Sequence, residues 1–151
     1  MASVNCTTVT TEALLFPELR EKAIISHGEE CAKKSIELIQ EFGLPGGLLP
    51  LKDIIEGGYV EETGFVWMLT KSKQQHHFKK ADRLCKYDEL VTCRLEKNKM
   101  KDIKGVKAKD MLLWVSVNEI LKDEKEPPKL HFKSFAGLSR SFPVEYFGIE
   151  S

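Results

Sequence analysis

The sequence predicts a mainly β domain: an antiparallel, closed or nearly closed β-barrel preceded by an N-terminal amphipathic helical segment. Three observations carry that expectation. Apolar residues recur at helical spacing between Pro17 and Phe42 and at a spacing of two beyond Leu51. The strand patterns follow one another through short connections instead of alternating with helices, which disfavours a wound α/β sheet. With no second helical pattern to cover them, long strands bury their apolar faces against one another or by closure.

The helical reading starts at Pro17, whose missing N–H suits a first turn, with Glu18 and Glu21 complementing the macrodipole. Ser26-His27-Gly28-Glu29 has the form of a capping box for a second start. Beyond it Ala32, Ile36 and Ile39 lie on one face, Lys33, Glu37 and Glu41 lie elsewhere, and Gly43 ends the run. Residues 43–51, GLPGGLLPL, then join helix to strands. Prolines keep this joint extended, glycines let it bend, and Leu44, Leu48, Leu49 and Leu51 are expected to anchor it. Two readings stay open: a rigid corner, or a pocket rim offering glycine amides to a ligand.

Phe65-Val66-Trp67-Met68-Leu69 reads as a short strand covered on both faces. From Tyr87 to Leu95 apolar residues fall mostly on odd positions, and Lys97-Asn98 suits a two-residue hairpin turn into a strand from Lys99. Met111–Val117 is expected to be a central strand, with Leu113, Val115 and Val117 on its apolar face. Lys129–Ser134 follows a charged, proline-ended loop, and GLSRSFP is expected to turn inside an aromatic tail. The expected organisation is a flexible tail over 1–15 and one domain over 16–148, helical over 17–42, barrel over 51–135 and aromatic over 136–148.

At 151 residues, 42% apolar and 30% charged, the composition is that of one ordinary globular domain. The opening MASVNCTTVT has neither a basic n-region nor an apolar h-region, and no apolar run approaches the roughly 20 residues of a membrane span. A cytoplasmic protein with reduced thiols is the expectation. Cys6, Cys31, Cys85 and Cys93 form no CxxC pair, and adjacent His76 and His77 face opposite sides of a strand, so neither a metal nor a cofactor is expected. The zero net charge conceals a basic middle: residues 71–109 hold 13 Lys+Arg against 5 Asp+Glu. Lys99, Lys101, Lys104 and Lys107 are candidates to meet anionic lipid headgroups at a membrane surface, with a solvated face as the plainer alternative. No motif suggests a nucleic-acid partner.

The candidate lining of a ligand cavity is Trp67, Tyr87, Trp114 and Phe132 with Leu48 and Leu49, all equally at home in a core. The expected ligand is a hydrophobic or amphipathic small molecule, bound without catalysis. Ester hydrolysis by Ser139 with His131 is the alternative; Gly137-Leu138-Ser139-Arg140-Ser141 lacks the second glycine of a G-x-S-x-G elbow. A protein-interaction module is the third class.

Five blocks in order, GLPGGLLPL, GYVEETGFVW (58–67), YDELVTC (87–93), KGVKAKDMLLWV (104–115) and GLSRSFPVEYF (137–147), resemble the plant proteins grouped as domain of unknown function 538 (DUF538), over nearly all of residues 30–147. The resemblance implies a β-barrel with an N-terminal helix, a shape compared with lipid-binding bactericidal permeability-increasing proteins. It also implies binding of lipid-like molecules or ester hydrolysis, and links to stress responses or growth, without an agreed activity. Many relatives carry a signal peptide, which is not seen in this sequence.

Overall fold

The computed structural model describes residues 17–149; the tail expected over 1–15, and Cys6 with it, lies outside them. Helix α1 (Pro17–Lys22), strand β1 (Ile24–His27) and helix α2 (Gly28–Glu41) open the fold. The helical segment expected over 17–42 is therefore interrupted by a strand. β-Branched Ile24 and Ile25 pair with Tyr59 and Gly58 of the next strand, and Gly28 turns the chain at φ 58. The capping box does not form, because Ser26 is held in that ladder opposite Gly57 and His27 is the N-cap residue, without a side-chain cap. α2 does end where the glycine predicts: Gly43 has φ 87 and donates to the Gln40 carbonyl. Its own carbonyl accepts from Lys122 Nζ at 2.8 Å, a cation suited to a helix C-terminus.

The strands β2 (Ile54–Val60), β3 (Phe65–Thr70), β4 (Gln74–Phe78), β5 (Arg83–Glu96), β6 (Lys99–Asp110), β7 (Leu113–Ser116), β8 (Glu119–Asp123), β9 (Lys129–Lys133) and β10 (Ser139–Pro143) follow, closed by a 3₁₀ turn at Val144–Phe147. They form one antiparallel ten-stranded sheet in the order β1-β2-β3-β5-β6-β8-β9-β10, with β4 added to β5 and β7 to β6. Among the described residues the sheet is not closed by hydrogen bonds; β1 and β10 end the order without pairing with each other.

The long β5–β6 hairpin, turning at Asn98 with φ 60 as its Lys97-Asn98 sequence predicts, determines this shape. Its register shifts between Tyr87 and Thr92 and again before Arg94. At the first shift Gly105 (φ 90) leaves room for the Leu90 carbonyl, which a Cβ would meet at 2.4 Å. Bulges of this kind bend a strand and sharpen its twist. One half of the hairpin therefore pairs with β3 and β8, the other with β4 and β7. Tyr87, Met68, Met100 and Leu130, each at most 2% exposed, join residues of both halves in one core.

Leu44, Leu48, Leu49 and Leu51 are all buried in that core, so GLPGGLLPL anchors the helix-to-sheet joint. The Gly47 amide donates to the Phe147 carbonyl at 3.0 Å, and a Cβ on Gly47 would lie 2.3 Å from the Gly148 carbonyl. At Gly47 the corner reading therefore prevails, since the amide is already engaged.

Two expected elements are displaced. Met111–Val117 is not a central strand. β6 continues to Asp110, the chain reverses at Met111-Leu112, and β7 is a four-residue edge strand beside β6. Leu113 is 71% exposed and only Val117 of the expected apolar face is buried. GLSRSFP turns only at its start: Gly137, with φ 82, donates to the Ser134 carbonyl within the reversal, whereas residues 139–143 pair with β9, from Ser139↔Lys133 to Pro143↔Lys129. The aromatic tail turns inward at Phe147, which is 3% exposed and packs against Phe78, Phe132 and Phe142 with ring centres 5.1, 5.0 and 5.9 Å away.

Candidate functional site

The expected cavity lining divides into three places. Leu48, Leu49, Tyr87 and Phe132 do converge, together with Met100 and Ile120, but the void among them is only about 20 Å³. That is room for roughly one water. Tyr87 fills the centre; its hydroxyl lies 3.5 Å from the Leu48 carbonyl, and burial pushes its pKa well above the ordinary value. Trp67 is on the other face of β3, folded over Gly58 of β2, where a Cβ would meet the indole at 2.2 Å. Its Nε1 donates to Glu56 at 3.3 Å, and Glu56 is held by Arg20 at 2.7 and 3.0 Å. Trp114 is half-buried on β7, with Lys86 Nζ 4.3 Å and Lys109 Nζ 5.9 Å from the ring centre.

Beside the filled core the molecule does have an apolar cleft, at the seam where the outer half of the β5–β6 hairpin and β7 face β9 and β10. Its volume is about 50 Å³, and Cys85, Ala108, Val115, Phe132, Phe142 and Phe147 form its walls. Arg83 and Arg140 stand at it with the carboxylate of Asp110, while Lys109 and Lys133 border it with their ammonium groups engaged elsewhere, over the Trp114 ring at 5.9 Å and 3.7 Å from Glu119 Oε2. Arg83 lies over the Phe142 ring at 5.5 Å, and Arg140 Nη2 reaches Asp110 Oδ2 at 3.0 Å across the seam. Among the described residues no strand pairing links this part of β5, β6 or β7 to β9 or β10. Two wider grooves flank α2: one of about 370 Å³ over Gly57, Val66 and Trp67 with Lys34, Glu37, Glu41 and Glu61 among its lining residues, and one of about 390 Å³ between α2 and residues 46–54.

The candidate nucleophile is also relocated. Ser139 pairs with Lys133, whereas Ser141 is directly opposite His131, and Ser141 Oγ lies 2.6 Å from His131 Nδ1. His131 Nε2 is 3.6 Å from Asp123 Oδ2 on β8. The Asp123 carboxyl is held below the ordinary range, first by the Lys125 amide, with desolvation opposing and His131 adding a smaller lowering. This line lies on the opposite face of β9 and β10 from the cleft, because side chains alternate along strands and Phe132, Arg140 and Phe142 line the cleft. The hairpin pairs are equidistant from residue 136, so centring the turn there finds Ser141 from sequence alone.

The four candidate headgroup lysines do not form one patch. Lys101 is ion-paired with Glu96 and Lys99 sits beside it at the hairpin turn, while Lys107 lies at the far end of β6 opposite Lys86 and Ser116. Lys104 is exposed between them. His76 meets Phe78 edge-on with ring centres 4.6 Å apart and His77 meets Asp82 at 2.9 Å, so the pair splits as strand alternation requires. Cys31, Cys85 and Cys93 are buried free thiols. Among the described residues no group of three or more His, Cys, Asp or Glu is placed to hold a metal ion, and no helix is long and apolar enough to cross a membrane.

A mainly antiparallel sheet with a filled centre, an unpaired seam and a helix at one end defines the class. Residues 35–148 match the family described as "Protein of unknown function, DUF538", and the chain belongs to that family. It is similar to the uncharacterized protein At5g01610 of Arabidopsis thaliana, 34% identical over 105 residues, which are 70% of this chain and 58% of that relative. The aligned part of this chain thus spans less than two thirds of the relative's length. No solved structure matches it.

Proposed function

We propose that the protein binds, without catalysis, an amphiphile with a single apolar tail and an anionic head, at the seam between β7 and β10. The observation that carries this reading is the pairing of an apolar cleft with two guanidinium groups, Arg83 and Arg140, across strands that no ladder joins among the described residues. At about 50 Å³ the cleft is a third of the roughly 150 Å³ apolar cavity that admits benzene, so a tail enters only as the walls part. Parting them breaks no strand ladder. It costs the partly exposed Arg140–Asp110 pair, a class of contact worth about 0–1 kcal/mol, together with the Arg83 contact on Phe142 and part of the ring packing of Phe147 across the cleft.

Calorimetric titration with medium- and long-chain carboxylates and alkyl sulfates, below their micellar concentrations, tests the proposal. Saturable one-to-one binding is expected, weakened about tenfold or more for each of Arg83→Ala and Arg140→Ala, since a charge-assisted hydrogen bond is worth roughly 1.5–3 kcal/mol. No saturable binding, or binding weakened instead by Lys34→Ala in the α2 groove, refutes the assignment to the seam.

Ester hydrolysis is a second reading, favoured by one observation, the Ser141–His131–Asp123 line. Ser141 would be the nucleophile, His131 its base and Asp123 the group orienting the imidazole. Turnover of a chromogenic ester lost in Ser141→Ala and kept in Ser139→Ala supports it. Equal rates in wild type and His131→Ala reject it.

A further inference from the structure

We propose that the tips of the β6–β7 and β9–β10 hairpins form a docking surface for an anionic phospholipid bilayer. This goes beyond the seam reading and does not rest on occupancy of the cleft. Of the seven exposed large hydrophobic residues among those described, four lie on these two tips: Met111 (84% exposed), Leu112 (89%), Leu113 (71%) and Phe135 (81%). Single exposed apolar side chains are ordinary, but a concentration at one end of a molecule marks an interaction surface. The Arg140–Asp110 pair, 3.0 Å, joins the two hairpins beside their turns and so holds their tips at the same end.

Backbone geometry makes the apolar tip harder to explain as chance. Met111 occupies the first position of a two-residue reversal between Asp110 and Leu113, with φ 58. Such turns favour Gly, Asn or Asp there, because a larger side chain is disfavoured in the left-handed region. Every other non-glycine residue described with positive φ is Asp or Asn: Asp53, Asp82, Asn98 and Asp102. At Met111 alone a bulky apolar side chain is kept, against local backbone preference and fully in solvent. A buried destination for that side chain accounts for both facts.

The chemistry behind the tip selects the partner. Trp114 follows directly on β7, with Lys86 and Lys109 over its ring. Lys107 lies directly opposite Lys86 across β5 and β6, a like-charge pair that is unfavourable until an anion joins it. At the other hairpin Arg140 stands at the cleft, paired with Asp110. Apolar side chains outermost, an indole next and cations behind are the order in which a bilayer presents acyl chains, interface and phosphates.

Co-sedimentation of the full chain with phosphatidylcholine vesicles, with and without phosphatidylserine, tests the proposal. The expected result is partitioning onto phosphatidylserine vesicles that falls with added salt, accompanied by a blue shift of Trp114 fluorescence, Trp67 being already buried. Leu112→Asp with Phe135→Asp should reduce partitioning at least tenfold while leaving the urea midpoint unchanged, because both sites are exposed. Lys86→Ala and Lys107→Ala should each cost roughly fivefold, the equivalent of about 1 kcal/mol per lysine at an anionic surface. No partitioning, or equal partitioning by the Leu112→Asp, Phe135→Asp variant, overturns the proposal. A stoichiometric protein complex that needs the tips while vesicles are ignored also overturns it and assigns the surface to a protein. Failure of the soluble-amphiphile titration leaves this vesicle result untouched, so the two readings fall separately.

Discussion

Truncating Phe147 should unfold the seam before any other part of the molecule. Its ring, 3% exposed, contacts Phe78 beside β5, Phe132 on β9 and Phe142 on β10, and its carbonyl accepts from Gly47. It thus bridges both sides of a cleft that no strand ladder crosses, and it ties the C-terminal turn to the helix-to-sheet joint. Phe147→Ala removes a fully packed ring, for which core truncations cost roughly 3–5 kcal/mol. In a domain of this size each kcal/mol moves the melting temperature about 2–4 °C, so a fall of roughly 6–20 °C follows. Urea denaturation followed by far-ultraviolet circular dichroism gives the free energy, and a thermal scan gives the shift. Phe135→Ala is the matched control: at 81% exposure it should change stability by about 0.5 kcal/mol or less. A Phe147→Ala cost under about 1 kcal/mol, or equal costs for the two variants, would show that the aromatic tail is not part of the core and refute the reasoning.

Acid should weaken the α1–β2–β3 contact in a definable window. The Glu56 carboxyl is held below its ordinary 4.5, first by the Arg20 hydrogen bonds, with Trp67 adding to the effect against desolvation. A carboxyl depressed in the folded state contributes fully above its unfolded pKa and loses that contribution as pH falls through the lower folded value. Melting temperature should therefore drop below about pH 4.5 in wild type and be flatter with pH in Glu56→Gln; identical pH profiles would refute the assignment. The buried thiols should be inert in the native state, since burial pushes Cys85 up to about 11 and Cys93 up to about 12 and the thiolate is the reactive form. Mass-spectrometric mapping of alkylation at mildly alkaline pH should find both protected until denaturant is added; rapid native labelling of either contradicts the core described above.

Local signals in the sequence were reliable where one residue type has one physical use. Gly43 stops α2, Asn98 turns the β5–β6 hairpin, and the leucines of GLPGGLLPL are buried. Pattern signals failed where exposure, not periodicity, was the deciding quantity. Met111-Leu112-Leu113 has the composition of a buried strand and is instead a solvent-facing tip. Ser26 and Glu29 have the form of a cap, but β1 pairing with β2, a contact more than thirty residues away in sequence, claims Ser26 first. The candidate residues divide on the same principle. Each of Leu48, Leu49, Tyr87 and Phe132 is apolar enough to line a cavity, and whether one exists depends on how fully their neighbours fill it, which no single position encodes. Ser139 was two positions from the serine that meets His131 because the hairpin centre, not the serine motif, sets that pairing.

The unpaired seam and the exposed tips have a common structural origin in the bend of β5 and β6. Had the hairpin run straight, β7 would extend the same surface as β8 and the apolar faces would need a second layer to cover them. Bending at Gly105 and the neighbouring register shifts folds one half over the other, which buries Tyr87 and its neighbours but leaves β7 and β10 as edges that face each other. Edges usually carry charges or stay short to avoid pairing with other chains. Here β7 has four residues, Arg140 lies on β10, and Lys107 and Lys109 on β6 stand opposite Ser116 and Trp114 of β7. Arg140 then serves two ends: it keeps the β10 edge from pairing with other chains, and with Arg83 it places positive charge at the apolar cleft. Straightening the bend by Gly105→Val, where a Cβ would meet the Leu90 carbonyl at 2.4 Å, therefore removes fold and cleft together, whereas Arg83→Ala and Arg140→Ala remove the charge and leave the fold.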